Sequence, residues 1–457
     1  MIPFRLTLVH PCIGRRQGQS YIKLWQMEPL PPAVIATLTP KDVKVRFYDD
    51  RMEQIPFDEA TDLVAISVET YTAKRAYQIA TEFRKRGVPV IMGGFHASLC
   101  PDEVSKYAES VVIGEAEDLW EQVIEDYRTG KPKRFYKSET RPKLDGSIPD
   151  RSIFQGKKYL PVHLIEAGRG CPLHCEFCVI QTMFGQTQNS RPVEQILREL
   201  HAVKDRKKLV FFIDDNVISH PGRAKEFFRQ LIPLKLRWVS QATINAAQDE
   251  ELLALMAQSG CQGVLVGFES MEPKNLAQMG KQVNLRSQGG YEQALQNFAR
   301  HRIRVYGTFV FGYDHDTPET FEKALDLSLR HGFFLTGFNH LTPFPGTELY
   351  SRLEREGRLL YDRWWMDDRY SYNMLPFKTL GMAPEDVQRH CVLTRKRFYS
   401  VPGILRRSIH PVNRFDPYMF MQFLSINFMH LVEVNVRNHY PLGDQSFQGP
   451  LLEVRDT

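Results

Sequence analysis

Short apolar runs alternate with amphipathic stretches along most of this 457-residue chain, in two blocks separated by a polar segment. In the first block, the runs at residues 4–9, 43–48, 63–68, 88–92 and 110–113 have the length and composition of buried strands. Apolar residues at helical spacing lie between them, at 73–86 and 119–127. Because strands that alternate with helices favour a parallel sheet covered on both faces, residues 1–127 are predicted to form a doubly wound α/β domain.

The alternation resumes at residue 161, after a polar segment at 128–160 that is predicted to be a linker. Six strand–helix units follow, with strands expected at 162–166, 209–213, 237–242, 263–268, 304–311 and 334–341. Six such units over residues 161–350 predict a partial (β/α)6 TIM-type barrel, with its site at the C-terminal ends of the strands. Residues 351–457 lose this rhythm and are predicted to form a third, mainly helical region.

The composition is that of an ordinary globular protein, with 42% hydrophobic and 25% charged residues. The formal net charge is +5 without a concentrated basic tract, so nucleic-acid binding is not indicated. No stretch reaches the roughly 18 apolar residues of a transmembrane helix, and the apolar N-terminus is too short for a signal peptide, so we expect a cytoplasmic protein. The seven cysteines are irregularly spaced, unlike those of a disulfide framework.

Three cysteines fall within eight residues, directly after the first strand of the second block. Residues 169–178 read RGCPLHCEFC, so that Cys171, Cys175 and Cys178 form a CxxxCxxC pattern. Thiolates are the soft ligands that hold iron–sulfur clusters. Three of them on a cubane of four irons leave one iron open to a small molecule that carries an amine and a carboxylate.

Two other interpretations of this pattern stay open on the residues alone. A structural zinc site needs a fourth ligand, and His174, next to Cys175, is a nearby candidate. A redox-active dithiol would use Cys175 and Cys178 and leave Cys171 without a role. The cluster accounts for all three cysteines and is the interpretation that the spacing favours.

A CxxxCxFC segment after the first strand of a βα barrel resembles the radical SAM superfamily, and the resemblance covers residues 155–350. In that family S-adenosylmethionine (SAM) binds the fourth iron of a 4Fe–4S cluster, and an electron cleaves it to a 5′-deoxyadenosyl radical that abstracts hydrogen from the substrate. The resemblance implies SAM contacts at successive strand ends, from Asp214, Asp215, Gln241, Thr243, Glu269, Ser270 and Val310. Residues 212–216 depart from the family pattern, since they read FIDDN in place of the commoner Gly-Gly-Glu. Each position taken singly also suits a structural turn or cap, and no further catalytic residue is assigned.

The first domain, Rossmann-like with Gly93, Gly94 and Gly114 at predicted strand ends, resembles the B12-binding domain of class B radical SAM enzymes. These glycines are therefore expected to line a cobalamin site. The chain lacks the DxHxxG motif whose histidine ligates cobalt in other B12 proteins, and His10 and His96 are expected to be structural. Members of this group are thought to bind cobalamin without a protein ligand to cobalt, whereas others keep the domain as an empty scaffold.

The resemblance implies cobalamin-dependent methylation of an unactivated carbon in a small-molecule or lipid-like natural product, with an external electron donor of the flavodoxin or ferredoxin type. The alternative is a cobalamin-independent oxidoreductase or cyclase. Residues 418–431 are rich in aromatics and methionine with interspersed polar residues. They favour a core helix on the barrel and leave open an apolar cap over the substrate or an interfacial helix.

Overall fold

The computed structural model describes residues 3–21, 26–144, 148–202, 208–436 and 438–454. Two parallel six-stranded sheets dominate these residues, one in each of the two predicted blocks. Residues 145–147 of the expected linker lie outside the described residues. The predicted α/β architecture with a mainly helical C-terminal region is confirmed.

The first sheet is parallel throughout, and its apolar strands are buried between helices. In chain order the strands are β1 (Arg5–His10), β2 (Lys44–Asp49), β3 (Leu63–Ser67), β4 (Val90–Gly93), β5 (Ser110–Ile113) and β6 (Phe135–Lys137). The covering helices are α1 (Leu30–Leu38), α2 (Ala73–Lys85), α3 (Phe95–Leu99), α4 (Pro101–Val104) and α5 (Trp120–Arg128). The spatial order β2-β1-β3-β4-β5-β6 reverses direction between β1 and β3. In doubly wound sheets a ligand crevice opens at such a switch point, beyond the carboxyl ends of the strands.

Strand β6 lies inside the segment that was expected to be a linker. It pairs in parallel with β5, and of its three residues only Tyr136 is buried, where its hydroxyl donates to Asp126 (3.0 Å). A strand this short with one buried side chain has no apolar periodicity to detect. The first sheet therefore extends past residue 127.

The second sheet also consists of parallel strands, each paired with its neighbours in the chain. The strands are β7 (Val162–Ile165), β8 (Leu209–Phe212), β9 (Arg237–Gln241), β10 (Cys261–Glu269), β11 (Arg304–Phe311) and β12 (Leu335–His340). The helices are α6 (Val179–Phe184), α7 (Val193–Ala202), α8 (Pro221–Leu231), α9 (Glu250–Gln258), α10 (Pro273–Gln278), α11 (Gln282–Leu285), α12 (Gly290–Arg300) and α13 (Pro318–Arg330). Because the described residues show no pairing between β7 and β12, the barrel is open on one side.

Strand register decides which side chains face the barrel interior. Leu265 of β10 lies opposite Tyr306 of β11, which in turn lies opposite Leu335 of β12, so these three share the inner face. The intervening residues are buried under the helices, as Phe309 and Phe338 show with stacked rings 5.8 Å apart. Polar side chains are thus left on the inner face, near the strand ends.

The C-terminal helices are α14 (Glu348–Arg355), α15 (Pro384–Phe398), α16 (Val401–Ser408), α17 (Pro411–Arg414) and α18 (Pro417–Val436). Helices α17 and α18 lie across the N-terminal ends of the barrel strands. There the Arg304 guanidinium lies 4.1 Å from the ring centre of Phe415, and that of Arg237 lies 4.9 Å from Tyr418. Helix α18 is therefore a packing helix, as its composition favours, and does not cap the opposite end. Among the described residues, no helix is both long enough and apolar enough to cross a bilayer.

Other parts of the C-terminal region return to the first domain. Gly443–Asp444 pairs in parallel with Gly14–Arg15, and the Asp444 carboxylate reaches the guanidinium groups of Arg15 (3.2 Å) and Arg75 (3.5 Å). A Cβ atom at Gly14 would lie 2.1 Å from the Pro441 carbonyl oxygen, so this approach requires glycine. The region expected at 351–457 thus packs on both sheets.

Candidate active site

The three cysteines lie in a loop beyond the C-terminal end of β7. The loop follows Gly168–Gly170, which pairs in antiparallel register with Gln188–Ser190, and it ends where α6 begins. The Cys178 N–H donates to the Cys175 carbonyl oxygen (3.0 Å), which closes a turn. Cys175 is buried, and Cys171 and Cys178 are partly accessible. The spacing therefore places all three thiols at the end of the barrel where its site was expected.

The three thiols are largely buried and lie near the positive charge of Lys281. Burial raises the pKa of each, to about 11 for Cys175, while Lys281 lowers it. Cys178 and Cys171 raise the pKa of Cys175 further through charge repulsion. All three can ionise together only with positive charge beside them, which iron supplies.

The loop supplies the donors of a cluster but not those of the alternative zinc site. His174, the candidate fourth zinc ligand, instead places Nε2 2.8 Å from Oε1 of Glu348 at the surface. Among the residues that the structure describes, no group of three or more His, Cys, Asp or Glu side chains is arranged to hold a single metal ion. Three thiolates without a fourth protein ligand fit a 4Fe–4S cluster with one open iron.

A buried lysine faces the cysteines, and no sequence pattern had indicated it. The Nζ atom of Lys281 lies 2.8 Å from Oε1 of Glu269, and both side chains are about nine-tenths buried. The turn before Lys281 packs on the cysteine loop, where the Glu176 N–H donates to the Met279 carbonyl (3.1 Å). Burial lowers the pKa of Lys281, but Glu269 and Cys175 raise it above its usual value, so the lysine stays charged. It is a fixed cation beside the cluster loop.

Glu269, predicted to accept the SAM ribose hydroxyls, ends β10 in a strained conformation. Its φ is +64°, and the register of β10 with β11 shifts between Gly267 and Glu269. A left-handed residue other than glycine costs about 1–2 kcal/mol and persists where its surroundings hold it. The Lys281 ion pair holds the carboxylate at the strand end. Glu269 is thus in place for the predicted role.

The two predicted aspartates at the end of β8 have different surroundings. Asp215 accepts a hydrogen bond from the Gly170 N–H (2.7 Å) and lines the cavity described below. Asp214 is 2% exposed and accepts from the Ala167 N–H (3.2 Å). Burial raises the pKa of Asp214 to about 8, so this carboxyl is mostly protonated at neutral pH. Asp214 supports the start of the cysteine loop, and Asp215 is the one of the two that is available to a ligand.

At the end of β9, Gln241 shares the inner face of the barrel with Leu265. The Thr243 hydroxyl donates to the Asn245 side chain (2.6 Å), so it belongs to the turn that follows the strand. The contact predicted for Gln241 stays a prediction, and Thr243 is engaged within its own turn.

At the ends of β10 and β11 the two predicted residues also differ. Val310 lies on the inner face, opposite Asn339 of β12. Ser270 is 1% exposed, and its hydroxyl accepts from the Glu272 N–H (3.0 Å) ahead of α10. Ser270 is therefore a turn residue. Asp215, Gln241, Glu269 and Val310 all lie at or near the C-terminal ends of neighbouring barrel strands, whereas Asp214 and Ser270 are hydrogen-bonded within the chain.

A cavity of about 350 Å³ opens between the carboxyl edge of the first sheet and the residues that flank the cysteine loop, Arg169 before it and Met183 and Phe184 after it. It lies at the switch point, with Val9 of β1 and Ser67 of β3 in its wall, and on the other side it reaches α6 and Asp215. The predicted glycines Gly93, Gly94 and Gly114 all line it. Its volume is within the range of ligand sites.

Two of these glycines have positive φ for different reasons. Gly94 has φ +100°, and a Cβ atom there would lie 2.9 Å from the Val68 carbonyl oxygen, so the close approach of these two backbone segments requires glycine. Gly114 has φ +89°, and a Cβ atom there would have no neighbour within 4 Å, so a side chain would extend into open space. Glycine at position 114 therefore leaves space beside the backbone at the cavity wall.

Neither histidine of the first domain reaches this cavity. His96 is fully buried and contacts Thr70 and Glu103, each at 3.3 Å. Burial lowers the pKa of His10 to about 4, so it is neutral. Of the residues that the structure describes, no histidine is among those lining the cavity. The described lining therefore offers no histidine ligand for cobalt, in agreement with the missing DxHxxG motif.

Arg169, two residues before the first cysteine, joins the two domains at the cavity rim. Its guanidinium contacts Glu166 of the barrel (2.6 Å) and Glu115 (3.2 Å) and Glu117 (2.7 Å) of the first domain. Arg141, from the expected linker, also binds Glu115 (2.7 Å). These ion pairs fix the cysteine loop against the glycine-lined edge.

An aromatic cluster joins the first domain to the C-terminal region. The ring of Tyr71 lies 5.2 Å from that of Tyr372 and 5.0 Å from that of Trp364. The Tyr71 hydroxyl lies 3.0 Å from that of Thr342, which follows β12. The C-terminal region is therefore packed on the first domain next to the end of the last barrel strand.

Residues 165–328 match the model of the radical SAM superfamily. The bacteriochlorophyllide d C-12(1)-methyltransferase of Chlorobaculum tepidum is 34% identical over 390 residues, which cover 83% of this chain and 84% of that protein. The hopanoid C-2 methylase of Rhodopseudomonas palustris is 29% identical over 74% of this chain and 66% of that protein.

Among solved structures, the radical SAM methyltransferase TsrM of Kitasatospora setae, with cobalamin and a [4Fe–4S] cluster bound, has a similar fold. The TM-score is 0.65 at 15% identity, covering 95% of this chain and all of that one. At this level of identity the likeness concerns the fold, and it extends over both sheets and the C-terminal region.

Proposed function

This chain belongs to the radical SAM superfamily, and from that premise we propose that it methylates an unactivated carbon of a tetrapyrrole, with cobalamin carrying the methyl group. Membership confirms the resemblance read from the cysteine spacing. The observation that carries the proposal is the glycine-lined cavity, whose other wall is formed by residues that flank the cysteine loop, Arg169 before it and Phe184 after it. One cavity wall thus belongs to the first domain and the other to the part of the barrel that carries the cysteines.

When bound, the cluster supplies the electron that cleaves SAM, and cobalamin carries the methyl group that the substrate receives. The residues of this chain bind and orient these groups. Cys171, Cys175 and Cys178 would hold the cluster, and Glu269 the SAM ribose. Asp215 and Gln241 lie beside them, and the Arg169 ion pairs fix the distance between the two walls of the cavity. Positioning of this kind is the contribution that a protein makes to cofactor chemistry.

The substrate class rests on the relatives. The 34% identical relative is named for bacteriochlorophyllide d and the 29% identical one for a hopanoid. The tetrapyrrole is proposed because the relative with the higher identity is named for it. A flavodoxin- or ferredoxin-type donor would supply the electron, and a reducing cytoplasm would suit cysteine thiolates that hold a cluster.

The test begins with anaerobic reconstitution of the full chain with iron, sulfide and hydroxocobalamin. About one corrinoid should stay bound per chain after removal of free ligand. With SAM, a chemical reductant and bacteriochlorophyllide d, we expect S-adenosylhomocysteine and 5′-deoxyadenosine to form together, and a product heavier by one methylene.

Cluster assembly without retained corrinoid would refute methyl transfer through cobalamin and favour the oxidoreductase or cyclase. Retained corrinoid with SAM cleavage but no heavier macrocycle would refute the tetrapyrrole and leave methyl transfer standing. If no cluster forms at all, the assignment of the three cysteines is wrong.

A further inference from the structure

Helix α16 exposes a stripe of apolar side chains. Val401, Leu405 and Ile409 succeed one another at intervals of four residues along the helix and just beyond its end, and Ile409 is 67% exposed. At 3.6 residues per turn these positions fall on one side. The exposed stripe is not part of a poorly packed core, because the side of the helix that faces the protein is well packed and its Ile404 is fully buried.

Helix α18 exposes a second stripe. Met421, Phe428 and Val432 follow the spacing i, i+7, i+11, with the exposed Ser425 between them, and Val432 is 66% exposed. The opposite side carries Phe423, which is fully buried with Ile404 of α16. Both helices thus bury their inner sides in one cluster with Phe334 at the start of β12, and each leaves an apolar outer side. We call the six exposed apolar side chains of α16 and α18 the outer apolar face: Val401, Leu405, Ile409, Met421, Phe428 and Val432.

Positive charge surrounds this face. Residues 395–436 contain six Lys or Arg against two Asp or Glu, a formal balance of +4 in a chain whose total is +5. Lys396, Arg406 and Arg414 are exposed, and among the described residues none of the three has a carboxylate partner. Arg406 lies directly next to Leu405 on the exposed side of α16.

We propose that the outer apolar face docks on the surface of an anionic lipid bilayer. Apolar side chains that alternate with unpaired cations are the composition with which helices lie in the headgroup region, where acidic lipids neutralise the cations and the acyl boundary covers the apolar groups. A second copy of the chain fits less well, because a symmetric contact would bring the same cations together.

The position of the face leaves the cofactor site free. Helices α16–α18 are anchored at the start of β12, where the Arg407 guanidinium donates to the Phe333 carbonyl (3.0 Å) and Asn427 donates to that of Phe334 (3.1 Å). This is the N-terminal end of the barrel, opposite the cysteine loop. Variants of the outer apolar face should therefore leave cluster content and SAM cleavage unchanged.

Flotation of the full chain with vesicles tests the proposal. We expect the protein to float with vesicles of phosphatidylcholine and phosphatidylglycerol, to stay behind with phosphatidylcholine alone, and to dissociate in high salt. The triple variant Leu405→Ser, Ile409→Ser and Val432→Ser should partition at least about tenfold more weakly. Leu380→Ser, at an exposed leucine near the other end of the barrel, is the apolar control and should float normally.

The charge contribution needs its own pair of variants. Arg406→Glu with Arg414→Glu should weaken partition at least about tenfold. Lys41→Glu with Lys131→Glu makes the same change of net charge on the first domain and should have little effect. Equal flotation of both pairs, or no flotation with any vesicle, would overturn the proposal. A dimer in light scattering that the serine variant dissociates would make the face an interface between copies and the lipid assignment wrong.

Discussion

The cavity separates two strand edges that are built in opposite ways. On the first sheet the wall is formed by glycines and apolar side chains, and it offers space and backbone. On the barrel side lie thiols and carboxylates, with a buried lysine bound to Glu269 (2.8 Å) and Asp215 bound to the Gly170 N–H (2.7 Å). Both edges are the carboxyl ends of parallel strands. The first edge leaves space for a ligand because side chains are absent, and the second offers charged groups that a ligand can contact.

The difference teaches how each kind of site responds to substitution. A ligand site that depends on an empty cavity is lost when an added side chain fills the cavity, even if no existing contact is removed. A site made of charged contacts is lost when one group is removed, because its buried partners are then left unpaired. The two edges of this molecule can therefore be disabled separately.

The largest expected effect is on the charged edge. Cys175→Ala should abolish the cluster, because it removes a thiolate from a set of three. Iron per chain and 5′-deoxyadenosine should both fall to background. Cys391→Ala, at a buried cysteine of α15, is the matched control and should keep both. SAM cleavage that survived in Cys175→Ala would contradict the assignment.

The next effect separates the glycine edge from the barrel. Gly114→Leu should abolish corrinoid retention while iron content stays normal, because the new side chain fills the cavity. Gly87→Leu is the matched control, since Gly87 also has positive φ and open space around it but does not line the cavity. Both variants carry the same backbone strain of about 1–2 kcal/mol. Equal corrinoid loss in the two would mean that strain, not space, is responsible.

A smaller effect is expected at Lys281. Lys281→Met removes the cation that faces the cysteines. The reduced cluster carries more negative charge and is therefore stabilised less, so the midpoint potential of the cluster should fall. Lys281→Arg keeps the charge and should stay close to the wild-type potential. An anaerobic redox titration followed by electron paramagnetic resonance measures both. Identical potentials in all three proteins would show that Lys281 only holds Glu269.

The smallest effect concerns Asp214, which lies beside the charged edge but is itself neutral. A carboxyl whose pKa rises from 3.8 to about 8 on folding stays protonated while the unfolded chain ionises, so stability falls as pH rises through that window. Asp214→Asn should flatten the decline of the thermal midpoint between about pH 5 and 8. Asp362→Asn, at a carboxylate that is 97% exposed, should leave the decline unchanged. An unchanged slope in Asp214→Asn would contradict the raised pKa.

The sequence predicted the elements with strong periodicity and the motif with fixed spacing. Strands Ser110–Ile113 and Arg304–Phe311 have the predicted limits, because their apolar runs end at turn residues. Strand β6 was missed because only Tyr136 is buried in it. Lys281 was missed because a lone lysine in a polar stretch reads as a solvated side chain until the fold buries it.

Among the predicted SAM contacts, position in the chain located the strand ends but not the direction of each side chain. Asp214 and Asp215 are adjacent, and only the hydrogen bonds to Ala167 and Gly170 decide which of them faces the crevice. Ser270 follows Glu269 directly, yet it is committed to the turn before α10. Such choices depend on long-range packing that a single sequence does not display.

The pairing of Gly443–Asp444 with Gly14–Arg15 delays the moment at which the first domain can complete its contacts during synthesis. The Gln78 side chain donates to the Asp444 carbonyl across 366 residues of sequence, and the whole barrel lies within that interval. On the ribosome, the first domain must therefore wait, with Arg15 and Arg75 lacking one carboxylate partner, until the barrel has been synthesised. A nascent chain that stalls in the barrel leaves that unfinished surface open to chaperones and proteases, so incomplete copies can be removed before any cofactor is committed to them.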